Sequence, residues 1–375
     1  MMASSRALVV GAGISGLTLA IALARKGIIA EVTELTADAN ILGIGIALGA
    51  PALRALNGIG LMEQCAALGF PHVRRTICNL KGEVLSSQQL PRLLGPEYPA
   101  QLGIPRPVLH RLLLESCRNL GVAVHFGLTT TALKQEHDAI KVTLSNGDRR
   151  TYDVVIGADG IYSRVRTMLC GDDQAPSFTG LAAWRIRAPR PPDADGIVVY
   201  RGGNHWVGFN PVTDDEGYIF IVEAIATRRH ISQDQLLQRL QEVLAGYGGL
   251  VSQILPRIVD PASIVYRPIE VILQPPPWFR GNAILIGDAA HAPAPSLAAG
   301  ALIAIEDAIV LGEELSSCST IPLAFENFMK RRYDRCRLVV EASIELGKWQ
   351  KNPLHSGSDP DNLQARVGSE LLKSI

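Results

Sequence analysis

The segment that most constrains this chain is Gly11-Ala12-Gly13-Ile14-Ser15-Gly16, because of what surrounds it. It follows a short Val-rich run, RALVVG at 6–11, which reads as a buried strand. After it, apolar residues recur at helical spacing from Leu17 to Leu23, and Gly27 stands where such a helix stops. A second strand, IIAEVTE at 28–34, ends on the acid Glu34. A bare GxGxxG is weak evidence, but inside a strand–turn–helix–strand unit that closes on an acid it is informative. Gly11 permits the tight turn and Gly13 lets a pyrophosphate approach the backbone. Gly16 lets helix and strand pack closely, and Glu34 is placed for ribose hydroxyls. The motif alone leaves NAD and FAD both open.

The rest of the chain alternates in texture. RPVLHRLLLESCRN (106–119) predicts a helix with Leu109, Leu112, Leu113 and Cys117 on one face, and VAVHFG a strand after it. Residues 138–152 read as a hairpin around SNGD, and DVVIGADG (153–160) as a buried strand entering a glycine turn. From about 181 to 272 strand-like stretches dominate: GIVVYRG, HWVGFNPV, YIFIVEAIA and SIVYRPIEV, with one helix at 232–245. NAILIGD (282–288) returns to the parallel-strand pattern, and helices follow at about 299–315 and 321–349. The last 20 residues, rich in Ser, Asp, Asn and Gly, are expected to be poorly ordered.

At 375 residues the chain holds two domains or one elaborated domain. Lys+Arg and Asp+Glu are both 36, so there is no basic excess to favour nucleic acid or a membrane surface. The six cysteines show no C-x-x-C pair, which points to reduced thiols and no metal site. The N-terminus lacks the shape of a signal peptide and no 18-residue run is apolar and uncharged, so a cytoplasmic protein is expected.

Two further segments settle the family. One is Asp153-Val-Val-Ile-Gly157-Ala-Asp159-Gly160 followed by Ile161-Tyr-Ser163-Arg164-Val-Arg166. The other is GDAAHAPAPSLAAGALIAIEDA (287–308), an apolar run that nevertheless opens with Asp288 and His291. With the N-terminal glycines these resemble, in order and spacing to about residue 345, the FAD-dependent aromatic hydroxylases. These are the single-component flavoprotein monooxygenases of the p-hydroxybenzoate and salicylate hydroxylase type.

The resemblance implies an α/β fold: a Rossmann-like FAD-binding domain of the glutathione-reductase type, with an inserted mixed β-sheet substrate domain and C-terminal helices. The corresponding division is 1–75, 102–180 and 273–320 for the FAD-binding domain, 76–101 and 181–272 for the substrate sheet, and 321–375 for the helical region. It further implies FAD as cofactor, with NADH or NADPH as a transient co-substrate, and O2 transferred to a small aromatic ring through a flavin C4a-hydroperoxide. A flavin reductase or dehydrogenase without oxygen transfer, or a catalytically silent FAD-binding protein, are the alternatives. A monomer or homodimer is expected.

Carried over residue by residue, Asp288 matches the carboxylate at the ribityl chain and Pro295 the proline beside the isoalloxazine. Gly300 matches the glycine at the flavin pyrimidine edge, and Arg106 the arginine near the phosphates and ribityl. Gly11, Gly13, Ser15, Gly16, Glu34, Thr130, Asp159, Ala298 and Ala301 complete the cofactor set. Arg164 and Arg166 are as compatible with structural ion pairs as with a role of their own, and His291 is expected to be scaffold. The chain departs from the family at Ala298-Ala299-Gly300, where Gly-Gln-Gly is usual.

Relatives carry His or Arg five residues before the proline of HWVGFNPV; here that position is Trp206. Strand alternation puts Trp206, Gly208 and Asn210 on one face and His205, Val207 and Phe209 on the other. Trp206 and Asn210 on that face are the substrate candidates, and the resemblance adds Tyr218, at a position that touches substrate in some relatives, and Pro295. The first three are also the only catalytic candidates, none of them an obvious acid or base. Ala47 stands where one pyridine-hydroxylating relative has a histidine. Tyr200 and Arg201 are weaker candidates, and His205 is expected to be structural. The expected site is apolar and aromatic with few charges.

Overall fold

β1 (Arg6–Val10) is buried on both faces from Ala7 onward, as a run of Ala, Leu and Val with no alternation requires. The turn at Gly11 leads into α1 (Ile14–Arg25), and the chain returns as β2 (Ile29–Glu34), parallel to β1. α2 (Arg106–Asn119) covers the range its leucine spacing predicts. β3 (Val154–Gly157) lies parallel on the other side of β1. The six-stranded sheet runs Phe279–Arg280, Ala283–Leu285, β3, β1, β2, Ala123–Phe126. The computed structural model describes residues 5–38, 43–171, 174–352 and 359–375.

A second, eight-stranded sheet is mostly antiparallel. Its centre is β4 (Ser177–Pro189), β5 (Trp206–Pro211), β6 (Glu216–Ala224) and β7 (Ile264–Leu273). The order is His291–Ala292, β7, β4, β6, β5, Ile197–Tyr200, Arg74–Cys78, Val84–Gln89. One face buries Trp184, Ile186, Val207, Phe209, Ile219 and Ile221 beneath helical segments that include Gln233–Val243. The opposite face looks at the first sheet's unit, where Tyr218 and Val212 pack on Ile44. A three-stranded sheet of Gly45–Gly49, Gln101–Pro105 and Phe70–His72 sits at this junction.

α3 (Gly300–Ser317) packs on α1, and α4 (Ile321–Lys351) packs on α3. The expectation of a poorly ordered tail is overturned for most of its length by α5 (Pro360–Leu372). Asp359 accepts from the N–H groups of Asp361 and Asn362, and Pro360 occupies the first turn, so the polar composition serves a helix start. Residues 356–358 of that tail lie outside the described residues. Among the described residues no helix is long and apolar enough to cross a membrane. β4 lies outside the strand-like stretches that the sequence shows.

Candidate active site

The glycine loop is built for close approach. Gly11 has φ +109°, and a Cβ there would lie 2.4 Å from the Ala158 carbonyl oxygen, so β1 and β3 converge on a backbone that only glycine allows. At Gly13 a Cβ would meet nothing within 4 Å, so the first turn of α1 opens onto free space. That turn has no side-chain cap, which leaves helix N–H groups available to an anion. Glu34 closes β2 by accepting from Ala12 N–H at 2.9 Å and from Thr36 N–H and Oγ1 at 2.9 Å each. Three donors leave room on a carboxylate that offers about four lone-pair sites. Ser15 turns its hydroxyl inward, donating to Ala304 O at 3.3 Å, so only its backbone remains for a ligand. Thr130 is fully buried, and its hydroxyl has no partner among the described residues. His110 was missed by sequence reasoning. It stands one helical turn after Arg106 and meets Ala12 O at 2.8 Å, bracing the loop from below.

Asp159 does not point outward. Its carboxylate accepts from Ser163 Oγ and from the N–H groups of Arg164 at 2.8 Å and Val165 at 3.1 Å, capping the helix Arg164–Cys170. Burial pushes its pKa up, and these bonds oppose the shift. It acts by holding the turn against Gly11. Arg166 is held through carbonyls, with no ion pair among the described residues: it donates to Ile161 O at 2.7 Å and Ala289 O at 2.8 Å. The Arg164 side chain is exposed.

The two polar residues of 287–308 have opposite fates. His291 is fully buried, stacked at 5.0 Å on Trp278, with Nε2 hydrogen-bonded to Asp307. Asp307 also accepts from Gly287 N–H at 3.0 Å and Arg332 Nε at 2.8 Å. Arg332 and Arg335 in turn bind Glu306 at 2.7–2.8 Å. Burial works to lower the His291 pKa, but Cys336 and Asp307 beside it hold it well above its ordinary value. His291, Asp307 and Cys336 have metal-ligand chemistry, yet Asp307 is already spent on Arg332, whose charge takes the place a cation would need. Asp288, three residues before His291, makes no hydrogen bond among the described residues and is open to solvent. Protein still crowds it at longer range, which raises its pKa, while His291 and Arg106 pull it back down. Arg106, at the start of α2, is likewise open and feels Asp288 as its nearest favourable charge. The pair fits an elongated ligand bearing hydroxyls and phosphates.

Pro295–Leu297 forms one turn, and α3 begins at Gly300 with Ala301 half-buried in its first turn. Ala298 has φ +49°, the left-handed region that explains why the family keeps glycine there. An L-residue in this conformation costs about 1 kcal/mol. Ala298 and Ala299, with Ala47, Leu297, Leu302 and Leu371, line an apolar cavity of about 260 Å³.

On the facing sheet the alternation holds: Trp206 packs with Leu181, Val222 and Ala294, while Val207 and Phe209 enter the core behind. Asn210 is 1% exposed, neither amide atom has a partner among the described residues, and Tyr218 is its direct cross-strand neighbour. Tyr218 packs against Gly45, where a Cβ would lie 2.6 Å from its ring. The expectation of a site with few charges is overturned. Arg185 on β4 shares this face, opposite Phe220, and Arg267 on β7 and Arg106 on α2 lie nearby. The WRIRA alternation of β4 signals such a face. Tyr200 and Arg201 are corrected as site candidates. Tyr200 Oη donates to Gly248 O, and Arg201 pairs with Asp361 of α5. His205 faces the buried Glu223 and Arg239, as a structural residue would.

These features have counterparts in known proteins. The family model described as FAD binding domain matches residues 4–320. A putative FAD-dependent monooxygenase of Bacillus subtilis (YetM) is 30% identical over 341 residues, 90% of this chain and 92% of its own. The 2-heptyl-3-hydroxy-4(1H)-quinolone synthase of Pseudomonas aeruginosa is 30% identical over 350 residues, 92% and 90% of the two chains. A variant of Klebsiella pneumoniae HpxO complexed with FAD matches in fold with a TM-score of 0.85 at 24% identity, over 98% of this chain and 94% of that one. The chain belongs to the FAD-dependent aromatic hydroxylase family, and its cofactor is FAD.

Proposed function

We propose that this enzyme uses NADH or NADPH and O2 to hydroxylate an aromatic or N-heteroaromatic small molecule. One observation carries the reading: the open Asp288–Arg106 pair and the glycine loop share a cleft with a sheet face on which, among the described residues, the Asn210 amide has no partner. FAD, when bound, supplies the redox and oxygen-activating chemistry. The chain's own residues bind, orient and exclude water.

In this reading the first-turn N–H groups of α1 take the pyrophosphate, Glu34 a ribose, and Asp288 the ribityl hydroxyls, with Arg106 offsetting negative charge. The positive end of α3 at Gly300 would favour negative charge on a ring system bound beside it. Tyr218 and Asn210 orient the substrate, while Trp206, Phe220 and Pro295 wall the site against water, which otherwise diverts activated oxygen to H2O2. The Pseudomonas relative, named for a hydroxylated N-heteroaromatic product, is in keeping with a ring substrate.

The test follows NAD(P)H oxidation, O2 uptake and H2O2 release by the yellow protein against a panel of hydroxylated aromatics and pyridines. The expected result is stimulated oxidation, little H2O2, and a product heavier by one oxygen atom. Stimulated oxidation that yields only H2O2 or a dehydrogenated ring overturns the reading in favour of an oxidase or dehydrogenase. A protein that binds FAD and oxidises nothing overturns it in favour of a silent binder.

A further inference from the structure

The apolar cavity at Ala298 and Ala299 extends away from the cofactor cradle. Of the cofactor set only Ala298 reaches it, and its far walls come from the helix Ala50–Gly58 and from α5. Its volume is about 260 Å³, and among the described residues Gln101 carries the only polar side chain on its walls. A dry apolar cavity of roughly 150 Å³ takes benzene, so this one has room for a chain of up to about ten carbon atoms. Ala299 stands in its wall at the position where glutamine is usual in the family, so a long polar side chain is missing from it.

Gly368, Leu371 and Leu372 face the cavity from α5 at positions i, i+3 and i+4. Glycine is a poor helix former, and nothing local asks for one at 368. Its φ lies outside the left-handed region, and a Cβ there would meet nothing within 4 Å. What the missing side chain leaves is the mouth of the cavity: Gly368 is exposed, whereas Leu371 is buried. This wall is fixed in place. Arg54 donates to Leu372 O at 3.0 Å and Lys373 O at 2.6 Å, and Arg335 to Glu370 O at 2.6 Å and Leu371 O at 2.8 Å. These bonds satisfy the last carbonyls of α5, and the cavity is preformed, as ligand cavities usually are.

The strand Gly45–Gly49 joins the cavity to the place where the ring is proposed to bind. Residues 45, 47 and 49 share one face of that strand. At Gly45 a Cβ would lie 2.6 Å from the Tyr218 ring, while Ala47 and Gly49 line the cavity. The run from 45 to 49 is about 13 Å long, and no side chain on that face is larger than a methyl.

We propose that the cavity binds an aliphatic chain carried by the substrate ring, with the ring at Tyr218 and the chain running past Ala47 to α5. The assignment rests on the ring binding where the proposed function puts it, and it makes Gly368 a specificity residue.

The experiment uses the FAD-loaded protein and reads perturbation of the bound flavin's absorbance on titration with phenol, 4-ethylphenol, 4-butylphenol and 4-hexylphenol. Burying one methylene is worth up to about fourfold in affinity, and the wild-type protein is expected to gain at least about tenfold from ethyl to hexyl. Gly368→Trp, which fills the mouth, is expected to erase that gain with FAD retention unchanged. Gln101→Glu puts a carboxylate in the wall and is expected to lower the gain several-fold; it carries the test should the Trp variant fail to accumulate. Gly368→Ala is expected to keep the gain and raise the thermal midpoint, and a lower midpoint would mean that the fold needs the glycine and overturns the assignment. 1-Hexanol is expected to displace 4-hexylphenol only weakly. Displacement as strong as by 4-hexylphenol itself gives the cavity to a free lipid chain and overturns the assignment. No gain with chain length, absence of all binding included, or a gain that survives both Gly368→Trp and Gln101→Glu, overturns it as well. A Gly368-dependent gain without oxygen in any product leaves the assignment standing and sinks the hydroxylation reading. Hydroxylation of phenol with no gain from the chain does the reverse.

Discussion

Two groups of charges lie close to the cofactor cleft, and they are treated in opposite ways. Behind the cleft, His291, Asp307, Arg332, Glu306 and Arg335 form a closed network in which every carboxylate is shared between cations or N–H donors. In front of it, Asp288, Arg106 and Arg185 have no ion-pair partner among the described residues, and Asn210 and Tyr218 go without hydrogen bonds. The sequence places Asp288 and His291 three residues apart, yet the chain completes one and leaves the other open. Scaffold charges are neutralised by protein, and in the proposed function the open charges are the ones that meet ligands.

Substitutions on the two sides of that divide are expected to fail differently. The largest effect is expected from Arg332→Met, which strands Asp307 and Glu306 in the core and destabilises by about 3–5 kcal/mol. The denaturation midpoint of the apoprotein measures it, and an unchanged midpoint would remove the network from the scaffold. Asp288→Asn is expected to leave that midpoint alone and weaken FAD binding by roughly 10- to 100-fold, the loss of a charge-assisted hydrogen bond. Equilibrium dialysis against FAD checks this, and a stability loss without an affinity loss would put Asp288 on the wrong side of the comparison.

The pH dependence of stability sharpens it further. His291 is raised on folding, so its contribution is complete below its ordinary value of 6.5 and is lost as pH rises through its folded value. Asp307 is depressed, so its contribution is present above its ordinary 3.8 and is lost as pH falls through its folded value. Wild-type melting temperature should therefore decline as pH rises above 6.5, and His291→Gln should flatten that decline. A decline as steep in the variant as in the wild type assigns it to other groups. The smallest effect is expected at Ala298, where Ala298→Gly exchanges left-handed strain for chain entropy. The net gain is about 0–1 kcal/mol, and thermal unfolding reads it.

Much of this was legible beforehand. The GAGISG unit, the helix Arg106–Asn119 and the strands from Ile197 to Leu273 follow from periodicity, because each element's own pattern fixes it. α5 is hidden by the polar composition of the tail, although Asp359 and Pro360 are sound helix-start signals. Arg185 was missed for a deeper reason. Alternation in WRIRA shows that its arginines share a face, but not that a second unit of the chain, with its cofactor site, stands opposite. Nor does sequence tell which polar residue will be partnered. Asp307 and Arg332 are 25 residues apart on successive helices, and only the packing of α3 on α4 brings them to 2.8 Å.

The order of strands in the first sheet carries one more consequence. β1, which ends in the glycine loop, pairs through Ala7 with Val154, and Val155 pairs in turn with Ala283, next to the Asp288 turn. The cradle thus has no local version: its walls come from stretches of chain that are far apart in sequence, and closing such loops is slow and entropically costly. A dinucleotide that spans the loop and Asp288 would act as a clasp on one of the long closures of the chain. By mass action, FAD at 100 times its dissociation constant would add about 2.7 kcal/mol to the folded state. In this chain cofactor supply would then govern how much folded enzyme exists as well as how fast each molecule works.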